Sequence, residues 1–365
     1  MAHGPLVADF VEKSDQVLLS GDVGWAHLHF NREQKARKRL QAAYAKGNLN
    51  IDNIEDLFDV YETASLLRRL SDMNPDEVAA LPRDLRFVIM RTLERSITYP
   101  IVSPEEYVRA PIPYAAFVEL LQQIRRNRRL NEVAVISFNY DLCLDYACAV
   151  AGIDLDYGWG LGGASRKSPL TLLKLHGSLN WSADNPDKRI RPEKVVPMAA
   201  SPLFRRLGVR VPVERPIDTM ELLHGPDAWG ERPIPEPFII PPTWSKGKSY
   251  DWLTAVWRSA SAALSTAENV FVIGYSLSPS DQFFRSFYAL SAMSDAIVSR
   301  FWVFDPSATV TERYESLVGP AIWRRGRFRH ELLNFSQAIR FLAETLELDV
   351  DVVTDLLRNS LIDVS

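Results

Sequence analysis

Three side chains suited to work on a bound ligand, Asn139, Asp141 and His176, stand where two apolar runs stop. Val133-Ala134-Val135-Ile136-Ser137-Phe138 has no polar alternation, the pattern of a parallel strand covered on both faces. It ends abruptly in Asn139-Tyr140-Asp141, and the run Leu170 to Leu175 ends as sharply in His176-Gly177-Ser178. Ligands of open α/β sheets bind beyond the carboxyl ends of the strands, so both turns are placed to meet one. Histidine titrates near neutrality and suits a proton-transfer role there. Each residue also has a structural reading. Asn139 tolerates left-handed turn geometry, Asp141 can cap a helix, and His176 can merely close a turn.

The elements that must position these residues follow from periodicity. Asp141 caps a helix, Leu142 to Val150, that Gly152 can terminate in the left-handed conformation. Strand character returns in Val270-Phe271-Val272-Ile273, ending at Gly274-Tyr275-Ser276-Leu277, with Ser280 or Asp281 capping the next helix. It returns again in Phe301 to Phe304, ending at Asp305-Pro306-Ser307, and briefly near Phe328. Helices are expected at Pro5 to Leu19, Tyr250 to Thr266, Ala308 to Leu317 and Phe335 to Leu361. From Asn31 to Leu130 the pattern is helical throughout, with starts at Asn31, Asn74-Pro75 and Ser103-Pro104 and breaks or restarts at Pro82 and Pro113. Ser182 to Pro242 holds about half of the 23 prolines and reads as a long irregular insertion.

Buried strands alternating with helices predict an α/β fold, a doubly wound parallel (Rossmann-like) sheet with an all-helical insertion and a long Pro-rich loop. Residues 1–21, 130–181 and 236–345 would form the sheet domain, 22–129 the helical module, 182–235 the Pro-rich insertion and 346–365 a C-terminal helix. Four strand ends then present Asn139/Asp141, His176/Ser178, Gly274/Ser276 and Asp305/Ser307. Glycines let backbone approach phosphate, and hydroxyls and carboxylates bind ribose, so the physical reading is a nucleotide-binding α/β domain.

Bulk properties exclude several classes. The 365 residues carry a formal charge of -4, and 47% are hydrophobic and 24% charged, an ordinary globular composition with no footprint for nucleic acid. No apolar run approaches the ~20 residues that span a bilayer, and no secretory signal is visible, so no membrane association is expected and the cytoplasm is the default. Cys143 and Cys148 cannot make a four-cysteine zinc site, and His27-x-His29 has no nearby third ligand, so no metal is expected. Arg125-Arg126-x-Arg128-Arg129 is read as cations complementing a helix C-terminus. Gly158-x-Gly160-x-Gly162-Gly163 is read as a flexible connection, since it does not directly follow a strand and open a helix.

Three segments together carry a specific resemblance. Ile136-Ser137-Phe138-Asn139-Tyr140-Asp141, Leu173-Lys174-Leu175-His176-Gly177-Ser178-Leu179-Asn180-Trp181 and Val272-Ile273-Gly274-Tyr275-Ser276-Leu277 with Asp281 resemble the principal motifs of the sirtuin-like family. They are closest to its bacterial branch of NAD-hydrolysing anti-phage defence proteins. The resemblance implies NAD as substrate, release of nicotinamide and ADP-ribose, and self-assembly into a homo-oligomer. It implies that Asn139 lies against the nicotinamide ribose and positions water, that His176 is the general base, and that Asp141 orients the turn. It further implies cofactor contacts from Ser137, Tyr140, Gly177, Ser178, Gly274, Tyr275, Ser276, Asp281 and Asp305. Deacylases of the family usually carry a four-cysteine zinc module, so an NAD-dependent deacylase is the least favoured reading.

The family begins with an apolar strand running into a Gly-Ala-Gly-x-Ser type loop, and nothing of this kind precedes His3-Gly4-Pro5-Leu6. A catalytically impaired nucleotide-binding or scaffold protein of the same fold is therefore the alternative. The expectation is that Met1 is an internal start and that about 15 to 25 further residues supply the strand and its loop. That strand would lie between the strands ending at Phe138 and Ile273, so no direct ladder between those two is expected.

Overall fold

The computed structural model describes residues 9–42, 49–102, 107–127, 132–159, 168–182, 190–198, 214–226, 233–240, 250–277, 282–293 and 296–358. It is a mixed α/β structure dividing into two compact units. Unit 1 comprises Met1–Pro111, Phe138–Val150 and His176–Trp252, and unit 2 comprises Ile112–Ser137, Ala151–Leu175 and Leu253–Ser365. Among the described residues no helix is long and apolar enough to cross a membrane.

Unit 1 is built on α1 (Phe10–Leu19), α2 (His27–Ala42), α3 (Ile54–Leu67) and α4 (Pro75–Ser96). Asparagine side chains start the last two. Asn53 Oδ1 accepts from the Glu55 and Asp56 amides, and Asn74 Oδ1 from that of Asp76. The break expected at Pro82 does not occur, and α4 continues through it. Proline there removes one helix hydrogen bond. Leu81, Pro82, Leu85 and Val88 are all buried, and helices in proteins draw most of their stability from such tertiary packing. Pro5 and Ser103-Pro104 lie outside the described residues. The first helix also falls in another place than expected. Val17 of α1 clusters with Val23, Ala26, Phe30 and Val88, so α1 belongs with the helices and not with the parallel strands.

A small antiparallel sheet interrupts the expected all-helical run. In it β1 (Thr98–Val102) lies between β2 (Tyr107–Val108) and β9 (Glu214–Pro216). Thr98, Tyr99, Ile101 and Val102 are the β-branched and aromatic types that favour a pleated surface. The Pro-rich region is likewise not wholly irregular, since it supplies β9 and the short helix α7 (Thr219–His224). A charge network, buried except at Asp22 and in part at Arg95, holds α7 to α4. Glu94 accepts from the Thr219 amide (2.8 Å), while Arg91 and Arg95 both pair with Asp218 and Asp22. Burial raises the Glu94 carboxyl above the ordinary range, against the pull of the Thr219 amide and the two guanidinium groups.

Unit 2 contains two parallel three-stranded sheets. One has the order β3 (Ala134–Ser137), β5 (Leu170–Lys174), β4 (Leu155–Asp156), with Ala134 opposite Thr171 and Ser137 opposite Lys174. The other has the order β11 (Asn269–Ile273), β12 (Arg300–Phe304), β13 (Phe328–Glu331). Alternate residues of β12 enter two different cores. Trp302 and Phe304 pack with α5 (Ile112–Arg126), α12 (Phe335–Thr345) and α13 (Val350–Arg358). Phe301 and Val303 pack with α9 (Gln282–Ser291) and α10 (Val310–Glu315). Both faces of this strand are covered, which is why its sequence is apolar without alternation. The helix expected from Ala308 to Leu317 is α10, a further short helix α11 (Pro320–Arg324) follows it, and the expected C-terminal helices are α12 and α13. Sequence periodicity put α5 with the helical module, but its Ala116, Leu120 and Ile124 face the α/β core.

As expected, no ladder joins β3 to β11 among the described residues, and each is an edge of its sheet. The outer edges carry charge: Asp156 on β4, and Arg329 and Glu331 on β13. β3 and β11 carry none, and β11 is half-buried along its whole length while Phe301 to Phe304 of β12 are buried. Charge on an edge blocks stray pairing, so β4 and β13 are protected edges and β3 and β11 are not. Amide hydrogen exchange measures this difference. The amides of β5 and β12 should be protected throughout, whereas in β3 and β11 those pointing away from the partner strand should exchange at least about a hundredfold faster. Uniform protection along β3 and β11 would show both edges paired.

Candidate functional site

Within unit 1 the segment 138–141 and the turn at His176 come together. The His176 ring lies 5.4 Å from the Phe138 ring and 6.5 Å from the Tyr140 ring, centroid to centroid. Asn139, between those two aromatics, is exposed, whereas His176 is 7% exposed. The Asp141 Oδ1 atom accepts from the Cys143 amide (2.9 Å) at the start of α6 (Cys143–Val150), so Asp141 caps that helix and holds the segment's end. The Cys143 and Cys148 thiols are both buried.

The His176 turn is fixed by backbone pairing. Its next residues form β6 (Gly177–Ser178), antiparallel to β10 (Phe238–Ile239) from the Pro-rich region. The Ile240 amide donates to the His176 carbonyl (2.9 Å), and the Ile240 carbonyl accepts from the Tyr140 hydroxyl (3.1 Å). The Leu179 amide donates to the Tyr140 carbonyl (3.1 Å), tying the two segments directly. Burial, with the Glu55 carboxylate adding to it, raises the Tyr140 phenol well above its usual range, so it serves as a donor. Gly177 adopts φ +87°, and a Cβ there would come 2.1 Å from the Phe238 carbonyl oxygen. Only glycine fits beneath β10. Ser178 is fully buried and its hydroxyl donates to Asn180 Oδ1 (2.7 Å), whose amide nitrogen donates to the Glu193 carbonyl (2.8 Å). Ser178 and Tyr140, expected from the sequence to contact a cofactor, thus use their hydroxyls within the fold.

The other expected residues lie in unit 2, at the ends of its strands. The Leu175 amide donates to the Ser137 carbonyl (2.9 Å), closing the ends of β3 and β5. Ile273 pairs with Phe304, which brings Gly274 and Asp305 side by side, with the Gly274 amide donating to the Phe304 carbonyl (2.9 Å). Gly274 has φ +66° and nothing within 4 Å of a Cβ position, so glycine there answers to backbone conformation alone. Asp305 is buried, and its Oδ1 accepts from the Ser307 amide (2.8 Å) in a tight turn. The Tyr275 carbonyl accepts from the Tyr314 hydroxyl (2.8 Å) and the Ser276 carbonyl from Arg313 (3.0 Å). Asp281 lies outside the described residues, as do Gly160, Gly162 and Gly163. Gly158 is a packed turn residue, with a would-be Cβ 2.6 Å from Leu173.

Two residues at these strand ends have no motif in the sequence. His330 Nε2 donates to the Asp305 carbonyl (3.0 Å) and Nδ1 shares a hydrogen bond with the Thr311 hydroxyl (2.6 Å), so this imidazole braces the turn. Arg313 brings a cation beside Ser276. Only the short polar strand β13 and the positive charge on α10 hinted at them. No family model and no curated protein sequence matches the chain.

The geometry of Gly177 makes it the most demanding position of the His176 turn. Gly177→Ala combines a left-handed backbone with a collision against backbone, and should destabilise unit 1 by at least about 2 kcal/mol. A urea titration reads this directly, and an unshifted midpoint would show that β10 is not seated on the turn.

Proposed function

We propose that the chain is an NAD glycohydrolase, releasing nicotinamide and ADP-ribose, and that it acts as an anti-phage effector by depleting NAD. The observation that carries this reading is the packing of 138–141 against the His176 turn, two segments that resemble the sirtuin-like motifs and are far apart in sequence. In this proposal the two parallel sheets of unit 2 are halves of one doubly wound sheet.

The reaction asks little covalent chemistry of the protein. Water adds to the anomeric carbon of the nicotinamide ribose, and the carbon–nitrogen bond breaks with its electron pair passing to the pyridinium ring, which leaves as neutral nicotinamide. The transition state resembles an oxocarbenium ion. Asn139, with its exposed amide, positions the water, and His176 takes the proton the water gives up. Phe138 and Tyr140 beside the imidazole keep bulk solvent from it. Asp141 acts on the turn through the α6 cap. A second reading, a catalytically impaired nucleotide-binding protein of the same fold, is favoured by the apolar edges of β3 and β11, which pair with no further strand among the described residues.

Following free nicotinamide after addition of NAD separates the two. Asn139→Ala and His176→Ala should each lower its release by roughly a hundredfold or more, the scale of losing a positioned acid or base, with the circular dichroism spectrum unchanged. Wild-type turnover in either variant would move the active site elsewhere. NAD binding without nicotinamide release by the wild-type chain would establish the second reading.

A further inference from the structure

The strand laid over the His176 turn is held from its other side by α4. Arg86 Nε donates to the Ile239 carbonyl (3.2 Å), one terminal nitrogen pairs with Glu236 (3.2 Å), and the other pairs with Glu62 of α3 (2.9 Å). Arg83, one turn earlier, reaches the second oxygen of Glu236 at 3.5 Å. The Arg86 side chain is 20% exposed and both its carboxylate partners 33%, whereas Arg83 is 59% exposed. A planar guanidinium that uses three nitrogens on three acceptors fixes direction as well as distance, which an ammonium cannot do.

These bonds form an unbroken path to the imidazole. Ile239 pairs with Gly177, and the Ile240 amide holds the His176 carbonyl. The Ile240 carbonyl in turn holds Tyr140, whose ring packs on that of His176. No side chain separates β10 from the turn, because Gly177 supplies none and the Phe238 carbonyl occupies the space a Cβ would need. A shift of Arg86 therefore passes to the backbone of His176 and Gly177 with nothing compressible between.

We propose that Arg86 is a positioning residue for His176, setting the imidazole through the strand 236–240 and thereby coupling the α3–α4 helices to the active site. The proposal rests on the reading of His176 as the general base, and its main measurements do not require turnover. Arg86 touches no substrate. The helical module becomes the input end of the device, since any ligand or partner that displaces α3 against α4 pulls on Glu62 and Arg86 together.

The test compares Arg86→Met with Arg83→Met, which removes only the weaker contact to Glu236. The His176 ring resonance, assigned by its loss in His176→Gln, is titrated with pH by carbon–proton NMR, and exchange of the Ile240 amide is measured alongside. Arg86→Met should move the His176 resonance and its titration midpoint and speed Ile240 exchange at least tenfold, whereas Arg83→Met should leave both within twofold of wild type. With NAD, Arg86→Met should lower kcat about tenfold or more with KM within threefold, and Arg86→Lys should recover only part of that loss. An unchanged His176 resonance and Ile240 exchange rate in folded Arg86→Met would overturn the proposal. Should that variant not fold, Arg86→Lys decides by the same two measurements, with wild-type values in both overturning it. A wild-type chain that releases no nicotinamide while Arg86→Met still moves the His176 resonance would defeat the catalytic reading and leave the positioning role standing.

Discussion

The antiparallel pairing of Phe238–Ile239 with Gly177–Ser178 is the contact on which the candidate site depends. A turn at a strand end leaves backbone donors and acceptors without partners, and burying them unpaired costs about 1–3 kcal/mol each. Here the His176 carbonyl is satisfied by Ile240, and the Tyr140 carbonyl by Leu179. The buried imidazole thus sits on a backbone that has few other conformations open to it. The hydrolysis proposed for this site would need preorganisation of this kind, because misplacement of a base is costly even when the residue is present.

The same obligation to pair backbone groups shapes unit 2. Its two sheets end on one side in strands that carry charge, β4 and β13, and on the other in strands that do not, β3 and β11. Val270, Phe271, Val272 and Ile273 have the composition of a strand buried between neighbours, yet they are half-buried. Half-buried apolar edges are the feature of this structure that agrees least with a finished sheet, and they lie in the same strands that lead to the polar turns.

Charge does a different task in unit 1. Asp84 is fully buried, with Arg32 binding both its oxygens and His29 holding one of them at 2.6 Å. Glu33 is buried beside Arg37 and Tyr61, and its carboxyl is raised by that burial. Such pairs add little net stability over well-packed apolar groups, but losing one partner leaves a buried charge exposed to the full desolvation penalty, about 3–5 kcal/mol. They therefore specify which helices meet and at what register. Arg86 belongs to this pattern and extends it, because one of its three acceptors is a backbone carbonyl of the strand over His176.

Much of this was determined by the sequence itself. Apolar runs without alternation located β3, β5, β11 and β12 within a residue or two, and Asn74 and Asp141 started helices where their short polar side chains can reach free amides, whereas the start read at Asn31 falls inside α2. Those signals act over a few residues, so they survive without knowledge of the fold. The polar residues at strand ends were legible for the same reason, since a strand must stop before its turn begins. What only the tertiary structure decided is which segments meet. Thr98 to Val102 became a strand because β9 pairs with it, Pro82 remained helical because its surroundings are buried, and α5 joined the α/β core because its apolar stripe fits Trp302 and Phe304. Gly177 reads in the sequence as half of a His-Gly pair, and only the carbonyl of Phe238 explains it. Arg86, Arg313 and His330 act through backbone carbonyls, and a carbonyl is present at every residue, so no side-chain pattern can point to the one it will meet.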